Sequence, residues 1–421
     1  MHYIRLLKSP VHSRSGRKHT LDLVFTITTD LGDSFLYPDK PIDLAIYAET
    51  SSDSGPRKQT LIHPLPGAGK LQWRPGMRVT KPSVDISGVM QQASKSRCKV
   101  GICVTADKLS ARGTRDILAT TTVVSEEEEE EEPAGQVMPV WITLGHDEGE
   151  MEVSTTRRIY LPGTLGQDAY VEFEEEIGES IARHIWDAGV IAFCAISDSC
   201  MLPTPPDTEP SSLKALKSLF SGPKPINVLE LGCGVGILGG GLSVVFPRMR
   251  PPLSPRCTIL MTDLEEAESR TRSNMSRLLQ ARQERRSSAG PPVKLLYENL
   301  DWEQGRKGTF GPETQSRRWD LVMLSDCTYN VDMLPALVGT LSALHASNMA
   351  QTVASPASPG EKPLSTKVFL ATKPRHASEE ALFDLLSHEG WTELHRQTLS
   401  LPVLGAETQR VEFYLYEKPW C

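Results

Sequence analysis

The sequence predicts an α/β fold, in which a mainly parallel sheet carries helices on both faces and ends in an antiparallel hairpin. A mixed, β-rich region precedes this fold. From Ile226 onward, short apolar runs alternate with helical patterns, which is typical of a parallel sheet. Two strand-like segments then close the chain with a short connection, which suits an antiparallel edge hairpin. Before residue 125, apolar runs alternate with clusters of Pro, Gly and Ser, typical of short strands and loops.

Composition narrows the class of protein. The 421 residues are 39% hydrophobic and 23% charged, which suits a chain of two or three folded domains. No run of eighteen apolar residues occurs, so we expect no membrane-spanning helix. The basic N-terminus lacks an apolar stretch, so we expect no secretory signal. The eight cysteines are scattered, without the paired spacing of a zinc site. Reduced thiols of this kind predict a cytoplasmic location, with a nuclear one also open.

The chain divides into three predicted parts. Residues 1–124 form an N-terminal recognition region, of which residues 1–20 are expected to be a mobile arm. Residues 125–136 form an acidic linker, because the like charges of the seven glutamates in it repel one another. Residues 137–421 form the α/β domain. The net charge is −8, and outside the acidic run the chain is close to neutral, so we do not expect nucleic acid as a partner.

Periodicity predicts the elements of the α/β domain in order. Strands at 137–143 and 157–161 come first, and Ile177, Ile181 and Ile185 then recur at a spacing that predicts a helix over 174–195. The later strands are predicted at 226–232, 257–263, 293–297, 319–326, 367–373, 391–400 and 409–417. The later helices are predicted at 212–220, 237–246, 264–286, 333–345 and 378–389. Linker-like inserts are expected at 247–256, 287–292, 303–318 and 351–365.

A glycine-rich turn follows the strand that begins at Ile226. It contains Gly232, Gly234 and Gly236 in the run ELGCGVG. Glycines let the backbone bend sharply and let a ligand approach it without a Cβ clash. In an open parallel sheet, ligands bind beyond the carboxyl ends of the strands. The glycines alone are weak evidence, because many nucleotide-binding folds have a similar turn.

Acidic residues at three strand ends sharpen the prediction. Glu230 precedes the first glycine, where a carboxylate can hold a ligand cation directly or through water. Asp263 ends the next strand, where it can accept hydrogen bonds from two ribose hydroxyls. Asp326 ends the fourth strand and is followed by Tyr329. A strand-end acid at this position faces the site, caps a helix, or does both.

These residues resemble class I, seven-β-strand methyltransferases that depend on S-adenosyl-L-methionine, and within them the lysine methyltransferase family 16 group. The resemblance covers about residues 150–417 and rests on five motifs in order. They are HIWDAG (184–189), ELGCGVG (230–236), the acid at 263, LDW (300–302) and DCTY (326–329). The resemblance implies a Rossmann-like, seven-stranded, mainly parallel sheet with a C-terminal antiparallel hairpin.

The resemblance also assigns roles to residues. It places Gly232, Gly234 and Gly236 near the methionine and ribose of S-adenosyl-L-methionine, and Asp263 on the ribose hydroxyls. It implies that Asp301 and Trp302 lie against the adenine and that Trp186 flanks the cofactor from the preceding helix. With Glu230 and Asp326 these residues form the expected cofactor site.

Catalysis is assigned to Asp326 and Tyr329, which would face the acceptor amine. Asp326 would orient the amine and Tyr329 would form a wall of its pocket. A lysine amine attacks only when neutral, and its pKa is about 10.4 in water. The site must therefore remove water from the amine and accept its proton. We expect no metal in this reaction.

The expected function is protein-lysine N-methylation on a folded protein. The motif wording and length resemble most the branch that modifies translation elongation factor 2, which makes that protein the candidate partner, and we expect the enzyme to be a monomer. The branch that modifies a nuclear nucleic-acid-binding protein is second. An RNA or small-molecule methyltransferase, a non-catalytic scaffold and a NAD-dependent dehydrogenase remain as alternatives.

Overall fold

The chain forms two compact units in the computed structural model. The structure describes residues 1–50, 58–65, 69–92, 98–119, 135–144, 149–150, 154–162, 169–178, 181–202, 211–249, 257–284, 293–354 and 365–419. The first unit contains Met1–Tyr160, Glu172–His184 and Ser400–Gln409. The second contains Leu161–Val171, Ile185–Leu399 and Arg410–Cys421. The acidic run of the predicted linker, Glu126 to Glu132, lies outside the described residues.

The elements up to residue 183 are mostly strands. The strands are β1 His2–Leu6, β2 Val11–Ser15, β3 Lys18–Asp22, β4 Phe25–Thr29, β5 Ile42–Thr50, β6 Lys58–Ile62, β7 Gln72–Trp73, β8 Ser83–Asp85, β9 Cys98–Val104, β10 Val137–Met138, β11 Val140–Leu144, β12 Gly149–Glu150, β13 Ser154–Tyr160 and β14 Tyr170–Glu176. The helices are α1 Ser87–Gln92 and α2 Thr114–Ala119, with 3₁₀ turns at Asp107–Leu109 and Ile181–Arg183.

These strands form three sheets around an apolar core. The orders are β10-β1-β4, β12-β2-β3-β8 and β14-β13-β11-β9-β5-β6, with β7 also paired to β5. The predicted mobile arm over residues 1–20 is wrong. Strand β1 pairs with β4 and β10, and the side chains of Tyr3, Ile4 and Leu6 are buried. Burial of the apolar residues of β1 in that core stabilises the strand.

The predicted domain boundary at residue 137 falls inside the first unit. Strand β11 pairs with β9 along its full length, from Val140 opposite Ile102 to Leu144 opposite Cys98. Backbone hydrogen bonding of this kind ties the segment to the sheet that precedes it in sequence. In the structure, the second unit begins only after Tyr160.

The helix expected over 174–195 is shorter than predicted. Residues up to Glu176 belong to β14, and the helix begins at Asp187. The apolar spacing was misleading because strand β14 buries acidic residues as well. Glu175 lies 2.5 Å from the guanidinium of Arg157 and both side chains are buried. The burial of this acid depends on a cation from a neighbouring strand, which sequence periodicity does not report.

The second unit alternates strands and helices as predicted. Its elements are α3 Asp187–Met201, α4 Ser211–Phe220, β15 Ile226–Leu231, α5 Ile237–Met249, β16 Cys257–Asp263, α6 Glu265–Glu284, β17 Val293–Asn299, α7 Trp302–Gly305, α8 Pro312–Gln315, β18 Leu321–Ser325, α9 Leu334–Ala354, β19 Ser365–Thr372, α10 Ala381–His388, β20 Thr392–Leu401 and β21 Gln409–Pro419. Short 3₁₀ turns at Val331–Met333 and Ala377–Glu380 precede α9 and α10.

One seven-stranded sheet organises this unit. Its order is β17-β16-β15-β18-β19-β21-β20. The pairings from β17 to β19 are all parallel, whereas β21 is antiparallel to β19. The carboxyl ends of β15, β16, β18 and β19 therefore share one edge, where the chain changes direction on either side of β15. This is the edge at which open α/β sheets bind ligands.

The predicted insert over 303–318 is ordered, which corrects the expectation of a linker. It carries α7 and α8, and the carboxylate of Glu298 accepts hydrogen bonds from the main-chain N–H groups of Glu313 and Thr314 at 2.8 and 2.9 Å. The indole of the buried Trp319 donates to the Thr314 carbonyl at 2.9 Å. Polar composition alone did not reveal these caps, which satisfy the first N–H groups of α8.

In the part of the chain that the structure describes, none of the helices has both the length and the apolar character needed to span a membrane.

Candidate active site

The glycine turn lies between β15 and α5 at the carboxyl edge of the sheet. Gly232 and Gly236 have positive φ angles of 63° and 81°, a region that other L-residues rarely adopt. A Cβ atom at Gly232 would lie 2.6 Å from the Cys327 Sγ and 3.3 Å from the Trp302 ring. Glycine is therefore required at this position both by backbone conformation and by close packing.

Side chains of α6 and β16 hold the turn in place. The Gly234 N–H donates to the Asp263 carboxylate at 2.7 Å. The Thr271 hydroxyl donates to the Gly234 carbonyl at 2.5 Å, and the Asn274 amide donates to the Val235 carbonyl at 2.9 Å. Neither Thr271 nor Asn274 is among the site residues that the sequence predicts. Their spacing of three, on one face of the helix after β16, was the available signal.

Asp263 is fixed at the end of β16. One carboxylate oxygen accepts the Gly234 N–H and the other accepts the Leu264 N–H at 2.7 Å. Burial raises the pKa of this carboxyl above its ordinary value, against the lowering effect of the two N–H donors. The carboxylate is thus held in one orientation at the sheet edge. Each oxygen retains a further lone pair that can accept a hydrogen bond from a hydroxyl group.

Glu230 is fully buried beneath the turn. One of its oxygens accepts the Gly239 N–H of α5 at 2.9 Å, while Oε1 has no hydrogen-bond partner among the described residues. Burial and, to a smaller extent, the charge of Asp263 raise its pKa to about 8, against the lowering effect of the Gly239 N–H. Glu230 therefore supports the first turn of α5 from inside, and its contact with a ligand cation stays a prediction.

Asp301 and Trp302 lie between the end of β17 and the first turn of α7. The Asp301 carboxylate accepts the Glu303 N–H at 2.9 Å and so caps α7. Trp302 is half-buried, and its ring lies against Gly232. The LDW motif therefore reaches the glycine turn through the indole, while the carboxylate of Asp301 is exposed.

Asp326 has the one positive φ angle, 51°, found at a non-glycine residue in the described ranges. Such a conformation is costly and recurs at functional sites. Its carboxylate accepts the Ala188 N–H at 2.8 Å and a guanidinium N–H of Arg375 at 3.4 Å. The guanidinium carbon of Arg375 lies 5.3 Å from the centre of the Trp186 ring. Trp186 is the N-cap residue of α3, not a residue inside a preceding helix as predicted.

Tyr329 is exposed, at 49% of its surface. The preceding Thr328 is buried and its hydroxyl contacts the Thr372 hydroxyl at 2.8 Å and the Glu379 carboxylate. Glu379 also accepts the Arg375 N–H at 2.9 Å. Burial of the phenol raises the pKa of Tyr329, so the hydroxyl is protonated near neutral pH. The loop is anchored while the ring stays accessible.

Two cations after β19 were missed from the sequence. Lys373 forms a 2.8 Å ion pair with Asp187, and both side chains are almost completely buried. Arg375 contacts Asp326. The signal was their place after a parallel strand, the same rule that singled out Asp263 and Asp326.

The contacts join the predicted residues into two groups at the same sheet edge. The first links the glycine turn to Asp263 and to the Trp302 ring. The second links Asp326 to Trp186 through Arg375.

A family model described as lysine methyltransferase matches residues 166–389, which is more than half of the chain. The chain belongs to the lysine methyltransferase family. S-adenosyl-L-methionine is the methyl donor of this family, so the predicted cofactor is confirmed.

Among curated proteins, the methyltransferase is 25% identical over 393 residues to the UPF0665 family protein C23C4.06c of Schizosaccharomyces pombe, which covers 93% of this chain and 94% of that protein. A SAM-dependent methyltransferase of Methanosarcina mazei is 8% identical, with 52% of this chain and 99% of that chain covered and a TM-score of 0.31. A SAM dependent methyltransferase of Aquifex aeolicus is 14% identical, with 49% and 89% covered and a TM-score of 0.29. Both TM-scores are low, so these structures add nothing about function.

The donor set of the methyltransferase fits S-adenosyl-L-methionine. Asp263 offers carboxylate lone pairs at a strand end, which suit the two ribose hydroxyls. Trp302 offers a half-buried flat ring for a purine. The cofactor also carries an amine, and the buried Oε1 of Glu230, which lacks a hydrogen-bond partner among the described residues, can accept a hydrogen bond. These three features match a nucleoside with ribose hydroxyls, a purine ring and an amine that donates hydrogen bonds.

Proposed function

We propose that this methyltransferase transfers a methyl group to a lysine side-chain amine of a folded protein. The observation that carries the proposal is the position of Asp326. It lies at the carboxyl end of β18, next to the strand that leads into the glycine turn. Its backbone has a positive φ angle of 51°, a strained conformation that recurs at functional sites and that holds the carboxylate at the sheet edge. The family name supports lysine as the acceptor.

The residues of the chain would act mainly by positioning. When bound, S-adenosyl-L-methionine supplies an activated methyl group, so no enzyme nucleophile is needed. Gly232, Gly234 and Gly236 would let the backbone approach the cofactor, with Asp263 on its ribose hydroxyls and Trp302, beside Asp301, at its adenine. Correct alignment of the acceptor can lower the activation free energy by several kcal/mol.

The acceptor side of the site would be formed by Asp326 and Tyr329. The Asp326 carboxylate would accept a hydrogen bond from the amine and orient it, while the exposed ring of Tyr329 would line the path of the lysine side chain. Translation elongation factor 2 is the candidate substrate from the motif wording, and a cytoplasmic location would agree with it. Residues 1–124 are the proposed substrate-recognition region.

Transfer of a labelled methyl group into a cell extract tests the proposal. The extract is separated into protein, RNA and small-molecule fractions after incubation with wild type, with Asp326→Ala, or with Asp332→Ala, a matched control in the same loop region. Label in one or two protein bands, recovered as methyllysine and lost only in Asp326→Ala, is the expected result. Label confined to RNA or to small molecules would refute the proposal and favour those acceptors.

A further inference from the structure

Four charged side chains form a balanced cluster beside the carboxyl end of β18. Asp187 pairs with Lys373 at 2.8 Å, with side-chain exposures of 0% and 4%. Asp326 pairs with Arg375 at 3.4 Å, with exposures of 6% and 11%. Each acid of the cluster thus has a cation beside it. Asp326 therefore does not present a bare negative charge to an approaching lysine.

Arg375 is held in place by contacts that involve its backbone and its side chain. Its N–H donates to the Glu379 carboxylate at 2.9 Å. Its guanidinium donates to the Lys373 carbonyl at 3.1 Å and lies over the Trp186 ring. A guanidinium stays protonated at every pH of interest. The positive charge beside Asp326 is therefore both permanent and localised.

The charge matters because of what a lysine must become before it reacts. In water its amine has a pKa of about 10.4, so the unreactive ammonium dominates near neutral pH. An uncompensated carboxylate at contact distance would favour the ammonium still more, whereas a nearby cation disfavours it, and each effect amounts to roughly 1–3 pKa units. A site that only attracted lysine through Asp326 would hold it in the wrong protonation state.

Resting on the proposed function, we propose that Arg375 is a positioning residue that acts through Asp326. By compensating the Asp326 charge, its guanidinium keeps the acceptor pocket from stabilising the ammonium form of the substrate lysine. The neutral amine then forms in the pocket at a lower pH, while Asp326 still accepts one of its hydrogen bonds. The proton leaves to solvent before the methyl group is transferred.

Other charged or titratable groups surround the same place. They include Asp187 on α3, Glu230 on β15, Asp263 on β16, Glu266 on α6, Cys327 and Tyr329 after β18, and Lys373, His376 and Glu379 after β19. All of them remain when residue 375 alone is changed. A difference between two variants at residue 375 therefore reports the charge at that position.

The test is the pH dependence of kcat between pH 7 and 10, at saturating cofactor and saturating acceptor protein, the latter purified as the band labelled in the extract. The variants are Arg375→Met and Arg375→Lys. Arg396→Met is the matched control, because Arg396 also pairs with a carboxylate, at 3.3 Å, and lies over a tyrosine ring, at 5.1 Å, but in strand β20 at the sheet edge.

For Arg375→Met we expect the rising limb of the profile to move up by about one pH unit. Its rate would then be on the order of tenfold lower near pH 7.5 and would approach wild type near pH 10. Arg375→Lys and Arg396→Met should keep the wild-type limb. If Arg375→Met does not fold, Arg375→Gln replaces it with the same expected shift.

Two results would overturn the inference. One is a loss of rate that is equal at all pH values, which would indicate a purely structural role. The other is an unchanged profile. Failure of the proposed function looks different, because wild type itself would then place no label on lysine.

Discussion

Glu230→Gln tests the electrostatics beneath the glycine turn. The substitution keeps an oxygen to accept the Gly239 N–H, which is 2.9 Å from the carboxylate, and it removes a group that can ionise. In the wild type, burial raises the pKa of Glu230 to about 8 from an ordinary value of 4.5. The folded protein therefore binds this proton more tightly than the unfolded chain does.

The sign and size of the effect follow from that difference. An acid whose pKa is raised on folding contributes stability that is fully present below about pH 4.5 and is lost as the pH rises toward about 8. Between pH 6 and pH 8 the loss is two pH units at roughly 1.4 kcal/mol each, or about 3 kcal/mol. Above pH 8 both states are ionised and the loss stops growing.

Urea unfolding at pH 6, 7, 8 and 9, followed by tryptophan fluorescence, measures the effect. Wild type should lose about 3 kcal/mol more than Glu230→Gln between pH 6 and pH 9. Glu303→Gln is the control, because Glu303 is partly exposed and pairs with Arg306 at the surface. Parallel pH profiles for wild type and Glu230→Gln would refute the assignment of a buried, protonated Glu230.

The site gives three more predictions. Gly232→Ala should weaken S-adenosyl-L-methionine binding in calorimetry, since the positive φ alone costs about 1–2 kcal/mol and the new Cβ would meet the Cys327 Sγ; unchanged affinity would contradict the tight packing. Lys373→Met should lower the free energy of unfolding by about 3–5 kcal/mol, because it removes the cation of a buried ion pair with Asp187; a loss below 1 kcal/mol would count against a buried pair. Asn274→Ala should lower the free energy of unfolding by about 1–3 kcal/mol and should also reduce cofactor affinity. An unchanged affinity would indicate that this asparagine does not support the site.

The sheet of the second unit was predictable because its signals are local. Strand β16 has the bounds that its apolar run and final acid predict, Cys257–Asp263, and helix α6 begins right after it at Glu265. Parallel strands bring their carboxyl ends to one edge. The sequence positions of Asp263 and Asp326 were therefore enough to place both near the glycine turn before any contact was known.

The N-terminal strands were harder to predict because their partners are distant in sequence. Strand β1 is bonded to β4 and to β10, and β10 begins only at Val137. A basic first segment with few apolar residues resembles a mobile arm until those partners are present. Likewise, Glu175 reads as part of a helix until Arg157 is found buried beside it. Local periodicity reports neither the distant partner of a strand nor a buried ion pair between strands.

The same limit explains why the motifs revealed the acids of the site but not its cations. Asp326 was singled out because an acid ends a strand in a familiar pattern, and that pattern by itself suggests a bare carboxylate that attracts ammonium. Arg375 comes from the end of a different strand and meets Asp326 only in the folded sheet. Its presence changes the chemistry from tight binding of a charged lysine to acceptance of a neutral one. For a transfer that needs a free lone pair, the cation that follows β19 is thus as informative as the acid that ends β18.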